Sequence, residues 1–229
     1  MPPFMKFTSR TLPFLIEAGQ QIDPNWLEEN HAAYEAHVRG PFIDLAERLK
    51  TALQPIVPDY HFPVKGIGRI KKAANHVVSG GPCCKDWLSI SISKPSDSRF
   101  ERNPHLFFGI LPNIPTYRGV VVAGGLFMPS GPQLKKVRSA IAQDAQPFHA
   151  LFADPAFKAR FKVDFSREEV ASRPPRGFDP GHPDMEWLRL KRFLVVKKLS
   201  TAEFTSADLV TALAEDFKQL IRLNRLLED

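Results

Sequence analysis

Residues 106–123 read LFFGILPNIPTYRGVVVA, and this stretch decides the fold. Two runs rich in β-branched and aromatic side chains, 106–111 and 117–123, flank the turn-forming residues 112–116. Residues 87–93, WLSISIS, precede them with the alternation of apolar and small polar side chains that is typical of a half-buried strand. Because these strands follow one another through turns, without intervening helices, they predict an antiparallel sheet.

Helical patterns flank the strands on both sides. In the first quarter, Asp23-Pro24 is a helix start, and apolar residues recur at helical spacing until Gly40-Pro41, which we expect to interrupt the helix. After the strands, Ser130 and Asp154-Pro155 predict further helix starts, and a late strand precedes a terminal helix.

This order of elements predicts an α+β fold, with a single antiparallel sheet packed against helices from the N-terminal and C-terminal thirds. The chain shows no change of composition, linker or internal repeat along its 229 residues. We therefore predict a single α+β domain over residues 1–229.

Composition and charge restrict the class of protein. The formal net charge of +6 permits attraction to nucleic acid, acidic metabolites or anionic surfaces, although no dense block of Lys and Arg supports a nucleic-acid partner. No apolar run reaches the ~18 residues that a membrane helix needs. The two cysteines, Cys83 and Cys84, are neighbours, which excludes a disulfide framework. We predict a soluble, cytoplasmic protein that does not associate with membranes.

Residues 174–191, PPRGFDPGHPDMEWLRLK, form the run richest in candidate functional groups. Its prolines and glycines predict a stiff loop, and Pro183 is suited to the first position of a short helix. Residues 173–198 contain seven basic and three acidic side chains, which account for most of the net charge. One interpretation is an anion site; the other is internal ion pairing of Arg176 or Arg189 with acids of the run.

Together with other segments, this run resembles the family catalogued as domain of unknown function 2461. The resemblance covers most of the chain, and it implies an α+β fold but no established activity, substrate or cofactor. The segments that carry it are Trp26-Leu27, Tyr34, Pro41-Phe42, Gly124-Gly125-Leu126-Phe127, Pro129, Leu134, Arg138 and residues 153–157, 174–179 and 186–191.

One segment departs from the family pattern. The resemblance implies a block of the form Arg-Ile-x-Arg-Asp-x-Arg-Phe, followed by Lys-x-Pro-Tyr-Lys. Here residues 69–76 read RIKKAANH and residues 80–85 read GGPCCK. Ala73 and Asn75 therefore lack the acid and one arginine, so a function that depends on this block is altered or lost in this chain.

The sequence predicts no cofactor and no metal site, because it lacks the motifs that bind them. We hypothesise that the chain binds a phosphate- or carboxylate-bearing ligand through a basic loop-helix site. The predicted ligand-binding residues are Arg69, Lys71, Lys72, Arg176, Arg189 and Lys191.

Two alternative functions remain open. The first alternative is an enzyme that acts on a phosphorylated or acidic small molecule. In that case His182 or Asp179 is the candidate for proton transfer. Otherwise it is a protein-interaction scaffold, which would expose an apolar patch. The sequence does not predict an oligomeric state.

Overall fold

The computed structural model describes residues 2–63, 66–96, 102–162 and 169–228. The helices are α1 Thr11–Ala18, α2 Trp26–Glu29, α3 His31–Tyr34, a π-helical turn Glu35–Arg39, α4 Gly40–Leu53, a 3-10 turn Ala74–His76, α5 Gly131–Gln143, α6 Gln146–Ala153, α7 Pro155–Arg160, α8 Met185–Leu188, α9 Thr201–Phe204 and α10 Leu209–Glu228. The strands are β1 Leu88–Ser93, β2 His105–Leu111, β3 Gly119–Leu126 and β4 Phe193–Leu199.

The four strands form one antiparallel sheet in the order β1-β2-β3-β4. In β1 buried side chains alternate with more exposed ones, as its alternating sequence predicts. In β3, by contrast, every residue after Gly119 is buried. The predicted α+β fold with a single antiparallel sheet is confirmed.

The chain folds as two compact units, each assembled from separate segments of the sequence. Unit 1 consists of Met1–Ile92, Phe107–Val122 and Lys198–Glu215, and unit 2 of Ser93–Leu106, Ala123–Lys197 and Asp216–Asp229. The single domain expected from the sequence stays a prediction.

The core of unit 1 contains a cluster of aromatic rings. The rings of Phe7 and Phe204 stack with their centroids 4.6 Å apart, and Phe7 also contacts Phe42 and Phe108. All four side chains are fully buried. Such large apolar side chains dominate the burial energy of a core.

From α3 the chain stays helical through the π-helical turn and into α4, which begins at Gly40. The interruption predicted at Gly40-Pro41 is therefore wrong. Pro41 has no N–H to donate to the His37 carbonyl, and the chain widens into a π-helical turn in which the Gly40 N–H bonds to the Glu35 carbonyl. The hydroxyl of Thr11, which is fully buried, donates to the His37 oxygen at 2.6 Å. A distant residue therefore supplies the hydrogen bond that Pro41 cannot make.

Helix starts in unit 2 follow the sequence closely. Ser130 and Gln133 form a capping box at α5, and the Asp154 carboxylate accepts the Ala156 N–H at the start of α7. Gly124 in β3 lies against α10, because an added Cβ would be 2.8 Å from the Cβ of Leu220. In the part of the chain that the structure describes, no helix is long and apolar enough to cross a membrane.

Gly125→Ala is expected to cost at least about 3 kcal/mol of unfolding free energy. Gly125 has φ +115°, and an added Cβ would lie 2.0 Å from the Phe193 carbonyl oxygen, a backbone atom that cannot move aside alone. The matched control is Gly131→Ala, where nothing lies within 4 Å of the new Cβ and φ is ordinary. Denaturant unfolding should show a change within about 0.5 kcal/mol for the control, and equal losses in the two variants would contradict this account.

Candidate functional site

Residues 174–184 form a loop in unit 2 that leads into α8. The Asp179 carboxylate accepts the Gly181 N–H at 2.9 Å, and the Asp179 carbonyl accepts the His182 N–H at 3.0 Å. Gly177 provides the positive φ, +87°, that the turn requires. Asp179 therefore has a defined task in shaping the loop, and its role in proton transfer stays a prediction.

Both ring nitrogens of His182 contact the backbone. Nδ1 accepts the Asp184 N–H at 3.1 Å, so the ring proton belongs on Nε2, which lies 3.3 Å from the Ala142 carbonyl oxygen. This arrangement ties the loop to the end of α5. A catalytic role would require His182 to release one of these bonds, and that role also stays a prediction.

A second histidine forms a pair that the sequence did not reveal. Nε2 of His149 in α6 lies 2.5 Å from Oδ1 of Asp184, which precedes α8. The His149 ring also packs edge-on against Trp187, with centroids 5.9 Å apart. His149 and Asp184 are 35 residues apart in the chain, and no spacing motif signals their contact.

The second half of the run is fixed by pairing with residues 169–171. Val170 and Leu190 form an antiparallel bridge, and the Arg189 Nε donates to the Ala171 carbonyl at 2.6 Å. Arg138, in α5, donates from Nη2 to the Leu190 carbonyl at 2.8 Å. The bond from Nε fixes the Arg189 side chain, and its two terminal nitrogens make no hydrogen bond to described residues.

The ion pairs expected inside the run do not form. Within the described ranges, neither Arg176 nor Arg189 makes a salt bridge; Asp184 pairs with His149 instead. Arg176 is exposed in the turn that contains Gly177. Internal pairing of these arginines with Asp179, Asp184 or Glu186 is therefore wrong. Asp179 accepts a backbone N–H in the turn, and Asp184 contacts His149 of α6.

A cavity of about 690 Å³ lies in unit 2 beside Arg189, and we call it the aromatic cavity. Aromatic rings form much of its wall, cations surround it, and one acid is present. Its lining residues are Phe152, Phe157, Lys158, Phe161, Lys162, Val170, Glu186, Trp187, Arg189 and Leu190. This volume falls in the range of small-molecule sites, about 300–1,000 Å³.

The aromatic wall is a continuous set of contacting rings. Phe152 packs against both Trp187 and Phe157, with centroids 4.9 and 5.3 Å apart, and Phe157 packs against Phe161 at 5.3 Å. α6, α7 and α8 each contribute to it, since Phe152, Phe157 and Trp187 belong to these three helices. Packing between short helices therefore produces the cavity.

The described residues do not neutralise the cations of the aromatic cavity. Lys158 and Lys162 are exposed, and neither forms an ion pair with any residue that the structure describes. Three cations thus face one carboxylate, that of Glu186. Of the predicted ligand-binding residues in unit 2, Arg189 lines this cavity, whereas Arg176 and Lys191 are not among its lining residues.

Three predicted ligand-binding residues, Arg69, Lys71 and Lys72, belong to unit 1. Lys71 forms an antiparallel bridge with Cys84, so the two segments of the family's charged block are adjacent. Lys72 donates from Nζ to the Pro82 carbonyl at 2.9 Å and holds these segments together. Arg69 and Lys71 line a second cavity, of about 550 Å³.

Neither cysteine presents an exposed thiolate that could act as a nucleophile or a metal ligand. Cys83 and Cys84 are both buried and unoxidised, with their sulfur atoms 3.9 Å apart. Burial, together with the charge of Cys83, raises the pKa of Cys84 to about 12.

Among the described residues, no group of three or more His, Cys, Asp or Glu side chains is arranged to hold a metal ion.

The fold and this site define an α+β protein with an aromatic cavity bordered by cations in its second unit. The chain belongs to the family described as conserved hypothetical protein (DUF2461), which matches residues 10–225 and confirms the resemblance seen in the sequence. No curated protein and no solved structure matches the chain.

Asp216, on α10, carries a buried charge that two cations compensate. Arg160 Nη1 and Lys197 Nζ lie 2.7 and 2.9 Å from its two carboxylate oxygens, and its side chain is 1% exposed. Because α7 and β4 supply these cations, the cluster fixes α10 against the helix that contributes Phe157. Removing one member of a buried ion pair leaves an uncompensated charge.

Asp216→Asn is therefore expected to cost about 1.5–3 kcal/mol of unfolding free energy, the range for a hydrogen bond to a charged group, because the cations that lose their partner are 31% and 22% exposed. The matched control is Asp154→Asn, which removes the carboxylate that pairs with Arg222 at 2.6 Å but keeps a good helix cap. Because the Asp154 pair is partly exposed, the control should lose much less stability. Guanidinium unfolding measures both, and a loss in Asp154→Asn as large as that in Asp216→Asn would refute the buried-charge explanation.

Proposed function

We propose that this protein binds a small anionic molecule with a planar aromatic body in the aromatic cavity. The anionic group, a phosphate or a carboxylate, would lie against Lys158, Lys162 and Arg189. The aromatic body would pack against Trp187 and the adjoining phenylalanine rings. The observation that carries the proposal is an excess of cations that form no ion pair with described residues, beside a wall of contacting aromatic rings.

Physical chemistry favours this ligand class. The two terminal nitrogens of Arg189 form a planar fork that matches two oxygens of a phosphate or carboxylate, and charge-assisted bonds of this kind are among the strongest in proteins. Aromatic rings prefer offset or edge-on contacts with other rings, which an aromatic ligand can continue. A neutral ligand would leave these cations without a partner among the residues that the structure describes.

The other functional hypotheses have less support. The large exposed apolar side chains, such as Ile22, Val78 and Met128, come from separate segments, and scattered exposed side chains are normal at protein surfaces. An interaction scaffold and a nucleic-acid partner thus stay predictions, as does a cytoplasmic location. The basic residues Arg176 and Lys191 are not among the lining residues of the cavity.

Adenosine 5′-monophosphate is a suitable probe, because adenosine has the same aromatic body without the phosphate. We expect the monophosphate to raise the melting temperature, with about 2.7 kcal/mol of stabilisation at 100 times its dissociation constant. Adenosine and ribose 5-phosphate should each stabilise less, because each makes only half of the proposed contacts. Thermal-shift titration measures all three.

The variants Lys158→Ala and Arg189→Ala should each weaken binding of the monophosphate by about tenfold. Lys135→Ala is the matched control, since Lys135 is an exposed lysine of unit 2 that does not line the cavity. Arg189→Ala also loses the bond to Ala171, so circular dichroism must show that this variant is folded. Equal binding by Lys158→Ala and Lys135→Ala, or equal stabilisation by adenosine, would overturn the proposal.

One observation favours catalysis as a second candidate function. His149 is held by the Asp184 carboxylate, and a carboxylate that orients a histidine is a recurrent feature of general bases. His149 itself does not line the cavity, but it packs on Trp187, which does. If the protein is an enzyme, the His149→Gln variant should still bind adenosine 5′-monophosphate but no longer convert it to product. Phosphorus NMR measures this conversion. If the wild-type protein leaves the probe unchanged, binding alone is favoured.

A further inference from the structure

The second cavity, in unit 1, is bounded on one side by the π-helical turn, and we call it the π-turn cavity. π-Helical turns are rare and are frequently found at functional sites. Here His31, Glu35 and Arg39 follow one another at intervals of four residues and all line the cavity. Nη1 of Arg39 contacts the two Glu35 carboxylate oxygens at 2.8 and 3.1 Å, and His31 Nε2 lies 3.5 Å from one of them.

A loop that is fixed to this turn forms the opposite wall. Gly66 and Gly68 both have positive φ, and the Arg69 N–H bonds to the Gly66 carbonyl at 3.2 Å. The buried Tyr34 hydroxyl donates to the Gly68 carbonyl. An added Cβ on Gly68 would lie 3.1 Å from Cγ of Arg39, so the loop lies close against the helix, and the positive φ of Gly68 would strain any larger residue. This packing presents Arg69 to the cavity.

The charges in the π-turn cavity are unevenly compensated. Arg39 is paired with Glu35, and Lys71 Nζ is paired with Glu28 at 3.2 Å. The Arg69 guanidinium has no hydrogen bond and no ion pair anywhere in the described part of the chain. One planar fork with two donors is therefore available to a ligand.

Apart from Glu47 and Lys50, the remaining wall is largely apolar. Leu27, Ile43, Phe62 and Ile67 line a volume of about 550 Å³, which suits a small molecule. Arg39 and Lys71 are already neutralised, and the lining residues Glu47 and Lys50 carry opposite charges that offset each other. The cavity therefore matches one negative charge better than two. A carboxylate fits the Arg69 fork with one charge, whereas a phosphate carries more charge than this cavity compensates.

From these contacts we propose that the π-turn cavity binds a monocarboxylate with a short apolar body. Arg69 holds the carboxylate, and the apolar wall covers the body. The site is separate from the one in the proposed function, since all of its residues belong to unit 1.

Isothermal titration of the full-length protein with hexanoate tests this site. The wild type should bind hexanoate more tightly than hexanol or inorganic phosphate, and Arg69→Ala should weaken hexanoate binding by at least about tenfold. Arg10→Ala is the matched control, because it removes an exposed arginine of the same unit outside the cavity. Arg189→Ala should bind hexanoate like the wild type, which separates this site from the aromatic cavity.

A second variant should act in the opposite direction. Glu28→Gln removes the partner of Lys71 and adds one net positive charge beside the cavity, so hexanoate binding should tighten by about threefold or more. Glu28 is 72% exposed, and its substitution should leave the fold intact. A purely structural role for these residues would not increase affinity.

Should Arg69→Ala fail to fold, Ile43→Trp offers an independent test, because the larger side chain fills the cavity and should abolish hexanoate binding. Absence of hexanoate binding to the wild type would overturn the proposal. It would equally be overturned if Arg69→Ala bound hexanoate as well as Arg10→Ala, or if inorganic phosphate bound as tightly as hexanoate.

Discussion

The structure of unit 2 depends on the packing of Trp187 against Phe152. This contact, with ring centroids 4.9 Å apart, joins α8 to α6, and Phe152 extends it to Phe157 of α7. α8 has only four residues and α7 six, so neither would be stable without tertiary contacts. The same rings form the wall of the aromatic cavity, and burial of apolar surface thus creates the candidate site.

Local signals predicted much of the fold. The hairpin of residues 106–123 appears as β2 and β3, and Ser130 and Asp154 cap the helices that they were expected to start. Local signals failed at Gly40-Pro41, where the helix continues through a π-helical turn. The buried hydroxyl of Thr11 makes this possible, and a hydrogen bond between residues 26 positions apart leaves no local trace in the sequence.

The candidate site was predictable in part. The charge excess of residues 173–198 pointed to Arg189, which does line the aromatic cavity. Composition could not show how the acids of the run are used: Asp179 shapes a turn, and Asp184 pairs with His149 from another helix. Lys158 was not predicted either. It is an exposed lysine on a short helix, and only its position beside the cavity makes it a candidate ligand-binding residue.

The most direct test is the NMR signal of the Trp187 indole N–H. The chain has three tryptophans, so Trp26→Phe and Trp87→Phe variants assign the three indole signals. The account predicts that adenosine 5′-monophosphate shifts the Trp187 signal in a saturable manner, with the Trp26 and Trp87 signals unchanged. A Trp187 signal that stays in place at saturating probe, or shifts confined to the other two indoles, would contradict it.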